Sequence, residues 1–464
     1  MTEASRPETD SATRKLMPVL FIGVFMAALD TAIIGPVIPA LRSAFGVDNR
    51  EVGLVLVVFI LFSLCSTALM ANLGDRHGRR PVYLASVALF ALGSLIIAVA
   101  PHFWMIVAGR AVQGMGGGGI IPTASAVIAD AFPSDKRGRA LGLIGAVYGM
   151  AFVLGPPLAG LVMVVASWHW IFLANLPIAA LVLALGAAAL PARPPAGAPA
   201  PLDVTGILVV FAMLGALVLG ITRVADGLLG MALWPWFLAA ALAMLVMLVQ
   251  IEKRAARPVI PLSLFANRQL ATAYLLTAGA GFGMGGVVFL ASIAHLAHGV
   301  TAQHTGFVLM PMVVCSMLGS MGSGRLLNRL GARALILAGF ALMALGYGAS
   351  AFTGFGLAGF LAASTPVGLG VGVVVGGALR SIAIDEAPVA VRGAAQGLIN
   401  ICTSIGTLLS VTAIAALADF SGGGAAGFGV AYMTLAAVML AMMIVALTLR
   451  NEPQVHYRMK ETRS

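Results

Sequence analysis

The chain is a succession of long apolar runs separated by short polar segments. A helix of roughly 18 or more uncharged apolar residues is long enough to cross a hydrocarbon core of ~30 Å. Fourteen such runs can be counted between residues 16 and 449. The strands of a membrane barrel would alternate apolar and polar positions over about ten residues, whereas these runs are continuous. The pattern therefore predicts an all-α membrane protein with fourteen spans.

The predicted spans form two groups of six, with one additional pair between them. In chain order, the predicted segments are a cytoplasmic N-terminal tail (1–15), a six-helix bundle (16–190), a cytoplasmic linker (191–203), two additional transmembrane helices (204–251), a second cytoplasmic linker (252–269), a second six-helix bundle (270–449) and a cytoplasmic C-terminal tail (450–464).

A repeated segment indicates that the two bundles are copies in the same orientation. Residues 73–80 (Leu-Gly-Asp-Arg-His-Gly-Arg-Arg) lie between the second and third spans, and residues 326–333 (Leu-Leu-Asn-Arg-Leu-Gly-Ala-Arg) repeat their pattern 253 positions later. Six more identities lie 255 positions apart, from Asp130, Pro133, Arg137, Gly138, Ala140 and Gly142 to Asp385, Pro388, Arg392, Gly393, Ala395 and Gly397. Parallel repeats are typical of transporters whose halves are related by an axis along the membrane normal.

The charged segment 73–80 is a candidate conformational loop. A loop with a carboxylate and several arginines can pair with a neighbouring helix end in one conformation and release it in another. The hypothesis assigns this role to residues of both copies: Asp75, Arg76, Gly78, Arg79, Arg80, Arg329, Gly331 and Arg333. The alternative is an ordinary basic turn, because lysine and arginine mark the cytoplasmic side of membrane proteins in any case.

Composition excludes a soluble protein, and the distribution of charge predicts the topology. Hydrophobic residues make up 60% of the 464 residues and charged residues only 9%, which leaves too little polar surface for soluble domains. The net charge of +10 follows the positive-inside rule, since only Arg42, Arg50 and Arg223 face outward in the predicted topology. We expect a monomer in the cytoplasmic membrane with both termini in the cytoplasm, surrounded by lipid and without a nucleic-acid partner.

Two opposite charges lie deep inside predicted spans. Asp30 lies in the first helix, roughly 20 Å from its cytoplasmic end, and Arg110 lies in the fourth helix, roughly 10 Å below the outer face. Gln113 follows Arg110 on the same helical face. An intramembrane carboxylate is costly enough that a functional role is the default hypothesis, and a purely structural role is the alternative. We predict an Asp30–Arg110 ion pair, for which a proton or a cationic substrate competes.

The sequence predicts no catalytic site, no metal site and no cofactor. Three cysteines stand singly in apolar runs, where a small buried thiol is the expected role: Cys65, Cys315 and Cys402. Three histidines of a predicted outer loop have neither a carboxylate nor a cysteine beside them: His295, His298 and His304. The glycine run 116–119 continues an apolar helix instead of following a strand, which argues against a phosphate-binding loop.

Several of these stretches resemble motifs of the major facilitator superfamily. Residues 71–80 resemble the signature loop of that family, Gly-x-Leu-x-Asp-Arg-x-Gly-Arg-Arg, with Ala71 in place of the first glycine. Residues 110–114 (Arg-Ala-Val-Gln-Gly) look like the helix 4 motif of the family. The resemblance implies two six-helix bundles that expose a central binding site alternately to the two sides of the membrane.

Three more stretches resemble motifs of one subfamily, the fourteen-helix drug/proton antiporters. Residues 155–160 look like the glycine-proline motif of antiporters, because Gly155, Pro156 and Gly160 are kept while Ala159 replaces a glycine. Residues 29–31 (Leu-Asp-Thr) are similar to the helix 1 motif of the subfamily, and residues 167–177 to the start of its helix 6. Together with the two additional spans, the resemblance covers nearly the whole chain.

The resemblance implies a secondary active transporter that exports small amphiphilic compounds in exchange for protons. The expected partners are small-molecule substrates, protons and lipids, and the proton gradient is the energy source. A dedicated proton-coupled exporter or importer of a single metabolite remains an open alternative within the same class. A membrane sensor that transports nothing is an alternative from another class, although such a sensor needs a soluble domain or a long ordered tail, which this sequence lacks.

Overall fold

A computed structural model describes the chain as a series of helices. The described residues are 6–131, 147, 150–151, 154–190, 204–227, 233–254, 262–301, 304–352, 354, 356–387 and 392–450. Within these ranges the backbone forms α-helices, one 3-10 helix, one π-helical turn and short connecting turns. The all-α fold class is therefore confirmed for the described residues.

The helices of the first part of the chain follow one another with short connections. In order, they are α1 (Arg6–Phe45), α2 (Asn49–His77), α3 (Arg79–Ala98), α4 (Phe103–Ala131), α5 (Leu154–Val165), α6 (His169–Leu173), α7 (Asn175–Ala189), α8 (Val204–Gly227) and α9 (Trp234–Arg254).

The second part begins with a 3-10 helix, Leu262–Ala266, and contains one π-helical turn, Val374–Ala378. Its α-helices are α10 (Arg268–Val288), α11 (Leu290–His298), α12 (Thr305–Val308), α13 (Met310–Ser350), α14 (Gly356–Val373), α15 (Leu379–Glu386), α16 (Arg392–Phe420) and α17 (Gly424–Ala446). The start of α10 is fixed by Asn267, whose side-chain oxygen accepts from the backbone N–H of Gln269 at 2.8 Å.

Twelve helices among the described residues are long and apolar enough to cross a membrane. The fourth and fifth of the fourteen predicted spans are not among them. α4 has 29 residues, but Arg110, Gln113 and its glycines lower its hydropathy, and α5 is described only over Leu154–Val165. The chain is thus a multi-pass membrane protein, while the predicted total of fourteen spans is not confirmed.

Several helices extend beyond the predicted bounds. α1 begins at Arg6, so that much of the predicted tail 1–15 is helical. The predicted linker 252–269 contains the end of α9, the 3-10 helix and the start of α10. An apolar run marks the part of a helix that suits a membrane, whereas backbone hydrogen bonding continues into the polar residues that flank it. The predicted linker 191–203, the tail residues 451–464 and most of the repeated segment after Asp130 lie outside the described residues.

The chain divides into two compact units. Unit 1 contains residues 1–34 and 54–211, and unit 2 contains residues 35–53 and 212–464. Residues 35–53, which are the end of α1, the connecting turn and the start of α2, therefore pack within unit 2. The sequence predicts them as part of the first bundle. The start of α2 packs closely against α16, since a Cβ atom added at Gly53 would lie 3.5 Å from the Cβ of Ala415.

The two repeated charged segments share one unusual backbone conformation. Gly78, between α2 and α3, has φ 91° and ψ 155°. Gly331, at the kink inside α13, has φ 78° and ψ 161° and lies 253 positions later (78 to 331). This region of backbone space is essentially open to glycine alone. The duplicated sequence therefore encodes a duplicated tight turn, rather than the longer loop that the sequence suggests.

The repeat is also visible in how helices approach each other. In each half, the helix that follows the third span carries glycines whose added Cβ atoms would lie 1.9 to 2.5 Å from carbonyl oxygens of the second span. The four pairs are Gly114 with Phe59, Gly118 with Ser63, Gly368 with Met312 and Gly372 with Ser316. Backbones can approach this closely only where no side chain intervenes, so these glycines fix the spacing of the two helices in each unit.

The turn at Gly331 gives a testable prediction. Gly331→Ala should lower the free energy of unfolding by about 1–3 kcal/mol, because alanine is strained in this region of φ and ψ. Gly322→Ala, in the same helix, is the matched control, since nothing lies within 4 Å of the added Cβ. Thermal unfolding in detergent checks the difference. Equal midpoints for the two variants would contradict the requirement for glycine at the turn.

Candidate functional site

Asp30 lies in the interior of α1, and its side chain is 0% exposed. Its carboxylate accepts hydrogen bonds from three side chains. Oδ2 accepts from Arg110 Nη1 at 2.6 Å, and Oδ1 accepts from Gln113 Nε2 at 2.9 Å and from Asn175 Nδ2 at 3.1 Å. A carboxylate removed from water needs such donors, because an unpaired buried charge is far more costly than a paired one.

Arg110 provides the positive charge of the pair, and it too is 0% exposed. Its Nη1 also donates to Gln113 Oε1 at 2.6 Å, one turn along α4. Its Nε donates to the backbone carbonyl of Val55 in α2 at 2.9 Å. The guanidinium is thus bound by α1, by α2 and by its own helix, and the predicted Asp30–Arg110 ion pair is present in the structure.

Ser94 of α3 completes the network through its hydroxyl oxygen. This oxygen lies 2.8 Å from Gln113 Nε2 and 3.2 Å from Asn175 Nδ2. Asn175 is the first residue of α7 and is almost completely buried. The network therefore joins five helices of unit 1, namely α1, α2, α3, α4 and α7. We call Asp30, Ser94, Arg110, Gln113 and Asn175 the buried polar network.

Phe59 of α2 covers the guanidinium of Arg110. The Cζ atom of Arg110 lies 4.6 Å from the centre of the Phe59 ring, the arrangement of a cation–π interaction. The second terminal nitrogen of Arg110, Nη2, is buried and has no hydrogen-bond partner among the described residues. The ring therefore partly compensates a donor that no oxygen satisfies. It also separates the ion pair from water, which strengthens the attraction between the charges.

The predicted antiporter motif lies beside this network. Gly155 and Pro156 are buried in α5, and so is Gly160. A Cβ atom added at Gly155 would lie 2.6 Å from the Cβ of Ala32 in α1. Ala32 follows Asp30 by two residues, so α5 packs against α1 close to the carboxylate. The structure thus brings this motif near the intramembrane acid, which the sequence did not predict.

The residues of the candidate conformational loop lie at the tight turns. Arg80 donates from Nη2 to the backbone carbonyl of Ala187 in α7. Near the same turn, a Cβ atom added at Gly74 would lie 2.9 Å from Nη1 of Arg79. The side chain of Arg76 is exposed, as are those of Arg329 and, in part, Arg333. The side chain of Asp75 lies outside the part of the chain that the structure describes, so its predicted pairing stays a prediction.

Unit 2 has no counterpart of the ion pair at the equivalent helix positions. With the offset of 254 that relates Gly114 to Gly368, Arg110 corresponds to Ser364 and Gln113 to Val367. Both are buried, and the Ser364 hydroxyl donates to the carbonyl of Leu361 in its own helix at 2.9 Å. The charge arrangement is therefore specific to unit 1, although the helix packing is shared.

The core of unit 2 contains buried tyrosines, two of which donate to backbone carbonyls. The hydroxyl of Tyr347 donates to the carbonyl of Gly283, and that of Tyr432 donates to the carbonyl of Gly286 at 2.5 Å. A shallow cleft lies beside the π-helical turn and is lined by Thr277, Ala280, Val374, Val375, Leu379, Arg380, Ile399 and Thr403. π-Helical turns are frequent at functional sites.

The sequence identified three of the five residues in the buried polar network. Asp30, Arg110 and Gln113 were predicted together, whereas Ser94 and Asn175 were not. Serine and asparagine occur in membrane helices for many reasons, so residue type alone gave no signal for Ser94. Asn175 lies in the stretch 167–177 that resembles the start of helix 6 in the antiporters, and this resemblance was the available signal for it.

The ion pair predicts a strong coupling between Asp30 and Arg110 in stability. Asp30→Asn and Arg110→Ala should each cost about 3–5 kcal/mol, because each leaves one charge buried without its partner. The double variant should lose much less than the sum of the two costs. Thermal unfolding in detergent across the four proteins measures the coupling. Strictly additive losses would show that the two charges are satisfied independently.

The ring of Phe59 predicts a smaller effect of a different kind. Phe59→Leu should destabilise the protein by about 0.5–2 kcal/mol more than Phe62→Leu, because only the first removes a cation–π contact. Phe62 lies on the same helix and packs against Phe211 with ring centres 5.0 Å apart, so that it controls for lost aromatic volume. Thermal unfolding of both variants, with and without Arg110→Ala, tests whether the cation–π contact is the cause. The difference in stability between Phe59→Leu and Phe62→Leu should vanish once the guanidinium is gone.

Comparison with protein families gives one match over most of the chain. The model of the Major Facilitator Superfamily matches residues 20–411, and a second match covers residues 273–463. An uncharacterised transporter of this type, YfiU of Bacillus subtilis, is 31% identical over 426 residues, which are 87% of this chain and 80% of YfiU. The multidrug transporter protein MdtP of the same organism is 29% identical over 348 residues, 74% of this chain and 63% of MdtP.

Solved structures agree with the sequence comparison at the level of the fold. The crystal structure of a D-xylose-proton symporter superposes with a TM-score of 0.69 at 14% identity, covering 95% of this chain and 98% of the symporter. The helical fold, the duplicated turns and the family match over residues 20–411 point to the same conclusion. The chain is a transporter and not an enzyme, and it belongs to the major facilitator superfamily.

Proposed function

We propose that this transporter exports small amphiphilic compounds in exchange for protons, by alternating access. The observation that carries the proposal is the fully buried Asp30–Arg110 pair at a distance of 2.6 Å. An ionisable group inside a membrane bundle is by default a candidate for a proton or ion pathway, because its burial is costly. The similarity to a multidrug transporter at 29% identity supports a substrate of varied structure.

The network explains how a proton changes the packing of unit 1. When ionised, Asp30 holds Arg110, Gln113 and Asn175 through its two oxygens. A proton on Oδ2 removes the negative charge and weakens the acceptor for Arg110 Nη1. Arg110 then keeps its bonds to Gln113 Oε1 and to the Val55 carbonyl, so that its hold on α1 weakens while α2 and α4 stay connected. Protonation thus acts on the position of one helix.

α5 is the element that would transmit this change. Its Gly155 lies against Ala32 of α1, where any larger side chain would displace one of the two helices. A movement of α1 after protonation therefore has to be accommodated by α5, through the glycine-proline segment 155–160. Helices of this composition bend more easily than others. The proposed role of Gly155, Pro156 and Gly160 is to let proton binding at Asp30 change the packing of α5.

The duplicated fold concentrates proton coupling in one half. The position equivalent to Arg110 is Ser364 and that equivalent to Gln113 is Val367, so unit 2 cannot form the same charged network. The cleft beside Val374–Ala378, which Thr277, Thr403 and Arg380 line, is proposed to contribute the substrate-binding surface of unit 2. In this division of roles, unit 1 binds the proton, and unit 2 supplies surface that adapts to the substrate.

Fourteen spans and membership of the drug/proton antiporter subfamily are also part of the proposal. α4 is long enough for a span and is anchored in the membrane bundle by the buried network, despite its low hydropathy. α5, described over Leu154–Val165, is proposed as part of the remaining span. α8 and α9 are the additional pair, and the exposed apolar side chains of α9, such as Trp236 at 75% exposure, suit contact with lipid.

The proposed location is the cytoplasmic membrane, with both termini in the cytoplasm. The excess of lysine and arginine in the connections on one side supports this orientation through the positive-inside rule. A monomer without cofactor, driven by the proton gradient, completes the proposal. The charged turns at Gly78 and Gly331 then lie on the cytoplasmic side, where the arginines of both copies are placed to pair with neighbouring helix ends as the transporter closes.

Substitution of Asp30 tests the proposed coupling directly. Asp30→Asn keeps the size of the side chain but removes its charge and one of its two acceptor oxygens. The variant should exchange substrate across a liposome membrane yet fail to concentrate it under a pH gradient. Thr31→Ala is the matched control, because its hydroxyl bonds to Ala27 of its own helix, and it should retain gradient-driven transport.

The measurement uses proteoliposomes and a panel of lipophilic cations and neutral amphiphiles. Counterflow without a gradient reports binding and translocation, whereas uptake under an imposed pH difference reports coupling. Gradient-driven accumulation by Asp30→Asn equal to that of the unaltered protein would remove Asp30 from the coupling mechanism. Transport of a single compound from the panel would instead identify a dedicated carrier.

A further inference from the structure

A second acidic residue, Asp419, makes an unusual set of contacts near the end of α16. Its Oδ1 accepts from Asn49 Nδ2 at 2.6 Å, and its Oδ2 accepts from the backbone N–H of Arg50 at 3.0 Å. The Nε atom of Arg50 lies 3.5 Å from the same Oδ2. Asn49 and Arg50 begin α2, so a carboxylate from the end of the chain caps a helix from its beginning, 370 positions away.

The helix that Asp419 caps already has a cap of its own. Asp48 Oδ1 accepts from the N–H of Glu51 at 2.7 Å, and Glu51 Oε2 accepts from the N–H of Asp48 at 3.1 Å. This reciprocal pair is a capping box, and it satisfies the start of α2 locally. The additional bond from Asp419 is therefore not needed to form α2. Its effect is to tie the first turn of α2 to the end of α16.

The charges around Asp419 make this tie sensitive to protonation. Arg50 Nε lies 3.5 Å from Asp419 and 3.6 Å from Asp48, so that two carboxylates share one guanidinium. The side chain of Asp419 is 14% exposed, which leaves it within reach of protons from water. Ionised Asp419 can accept both bonds, whereas protonation removes the charge that attracts Arg50 and the N-terminal end of the α2 dipole.

Other titratable groups expected at this end of the molecule are engaged elsewhere. Glu51 is held in the capping box. His295 lies 2.7 Å from the carbonyl of Val300, and the His298 ring packs against that of Phe360. The turn 421–423 that follows α16 consists of serine and glycines. The groups that face Asp419 in the described contacts are therefore Asp48 and Arg50.

We propose that Asp419 and the first turn of α2 form a latch that holds the outer ends of the two halves of the sequence together, and that protonation of Asp419 releases it. The inference rests on the proposed function for the orientation of the chain. Alternating access requires the outer ends of the halves to separate once in each cycle. Protons from outside would then open the side from which Asp30 is protonated.

Spin-label distances test the latch without substrate or gradient. Labels at Ala44→Cys and Ala426→Cys, both exposed, are placed in a background in which Cys65, Cys315 and Cys402 are replaced. In lipid nanodiscs, lowering the pH from about 8 to about 4, close to the ordinary pKa of an aspartate side chain, should populate a longer distance. Asp419→Asn should show this population at both pH values, raised roughly tenfold at the higher pH, as expected for the loss of a hydrogen bond to a charged group.

Three further variants test whether the pH-dependent change in distance comes from the contacts of Asp419. Asp48→Asn removes the same charge but leaves the bonds to Asp419, so its distances should still respond to pH. Asn49→Ala removes one donor and should raise the long-distance population even if Asp419→Asn folds poorly. Asp30→Asn should keep the pH response, because that response belongs to Asp419.

Two results would overturn the latch. The first is a distance distribution in Asp419→Asn and Asn49→Ala that matches the unaltered protein at both pH values. The second is a pH response that disappears in Asp30→Asn but persists in Asp419→Asn, which would assign the response to Asp30. Neither result affects the proposed proton coupling, whose own failure appears as gradient-driven transport by Asp30→Asn.

Discussion

The attraction between Asp30 and Arg110 is the interaction on which the proposed mechanism depends. Each charge is fully buried, and removing either one would leave the other buried without its partner. Part of the cost of burying both is offset by further hydrogen bonds: Asp30 accepts from the amides of Gln113 and Asn175, and Arg110 donates to the carbonyl of Val55. In the proposed mechanism, a proton neutralises one member of the pair, so that the contact that stabilises unit 1 also controls its packing.

Close helix packing is what allows that pair to exist. Gly114 and Gly118 bring α4 against α2, so that Arg110, one turn before Gly114, reaches the carbonyl of Val55. A side chain at either glycine would clash with a backbone carbonyl of α2 and push the two helices apart, which would weaken the bond from Arg110 to Val55. The glycines therefore contribute to the site only by allowing α4 to lie close to α2. In unit 2 the same packing recurs without the charges, so the helix packing does not depend on the buried ion pair.

The two copies of the repeat share backbone features but differ in their buried side chains. Both copies require glycine at the turn, with similar φ and ψ at Gly78 and Gly331. The interior of unit 1 contains the buried polar network, whereas the interior of unit 2 contains tyrosines that donate to backbone carbonyls. Tyrosine is neutral at physiological pH, so those bonds persist over the range in which a carboxylate titrates. This asymmetry supports one proton-responsive half and one that adapts to substrate.

The sequence by itself determined the all-α membrane fold, the repeat and the pairing of Asp30 with Arg110, because long apolar runs, matched offsets and isolated charges each have few physical solutions. It did not determine the helix ends, since α1 and α9 continue into polar residues where hydropathy gives no signal. Nor did it reveal Ser94, Asn175 and Phe59 around the ion pair, or the contact of Asp419 with α2. These depend on which helices are neighbours and on how each is rotated. Only the tertiary structure decides that, because residues 370 positions apart meet through packing and not through any local pattern.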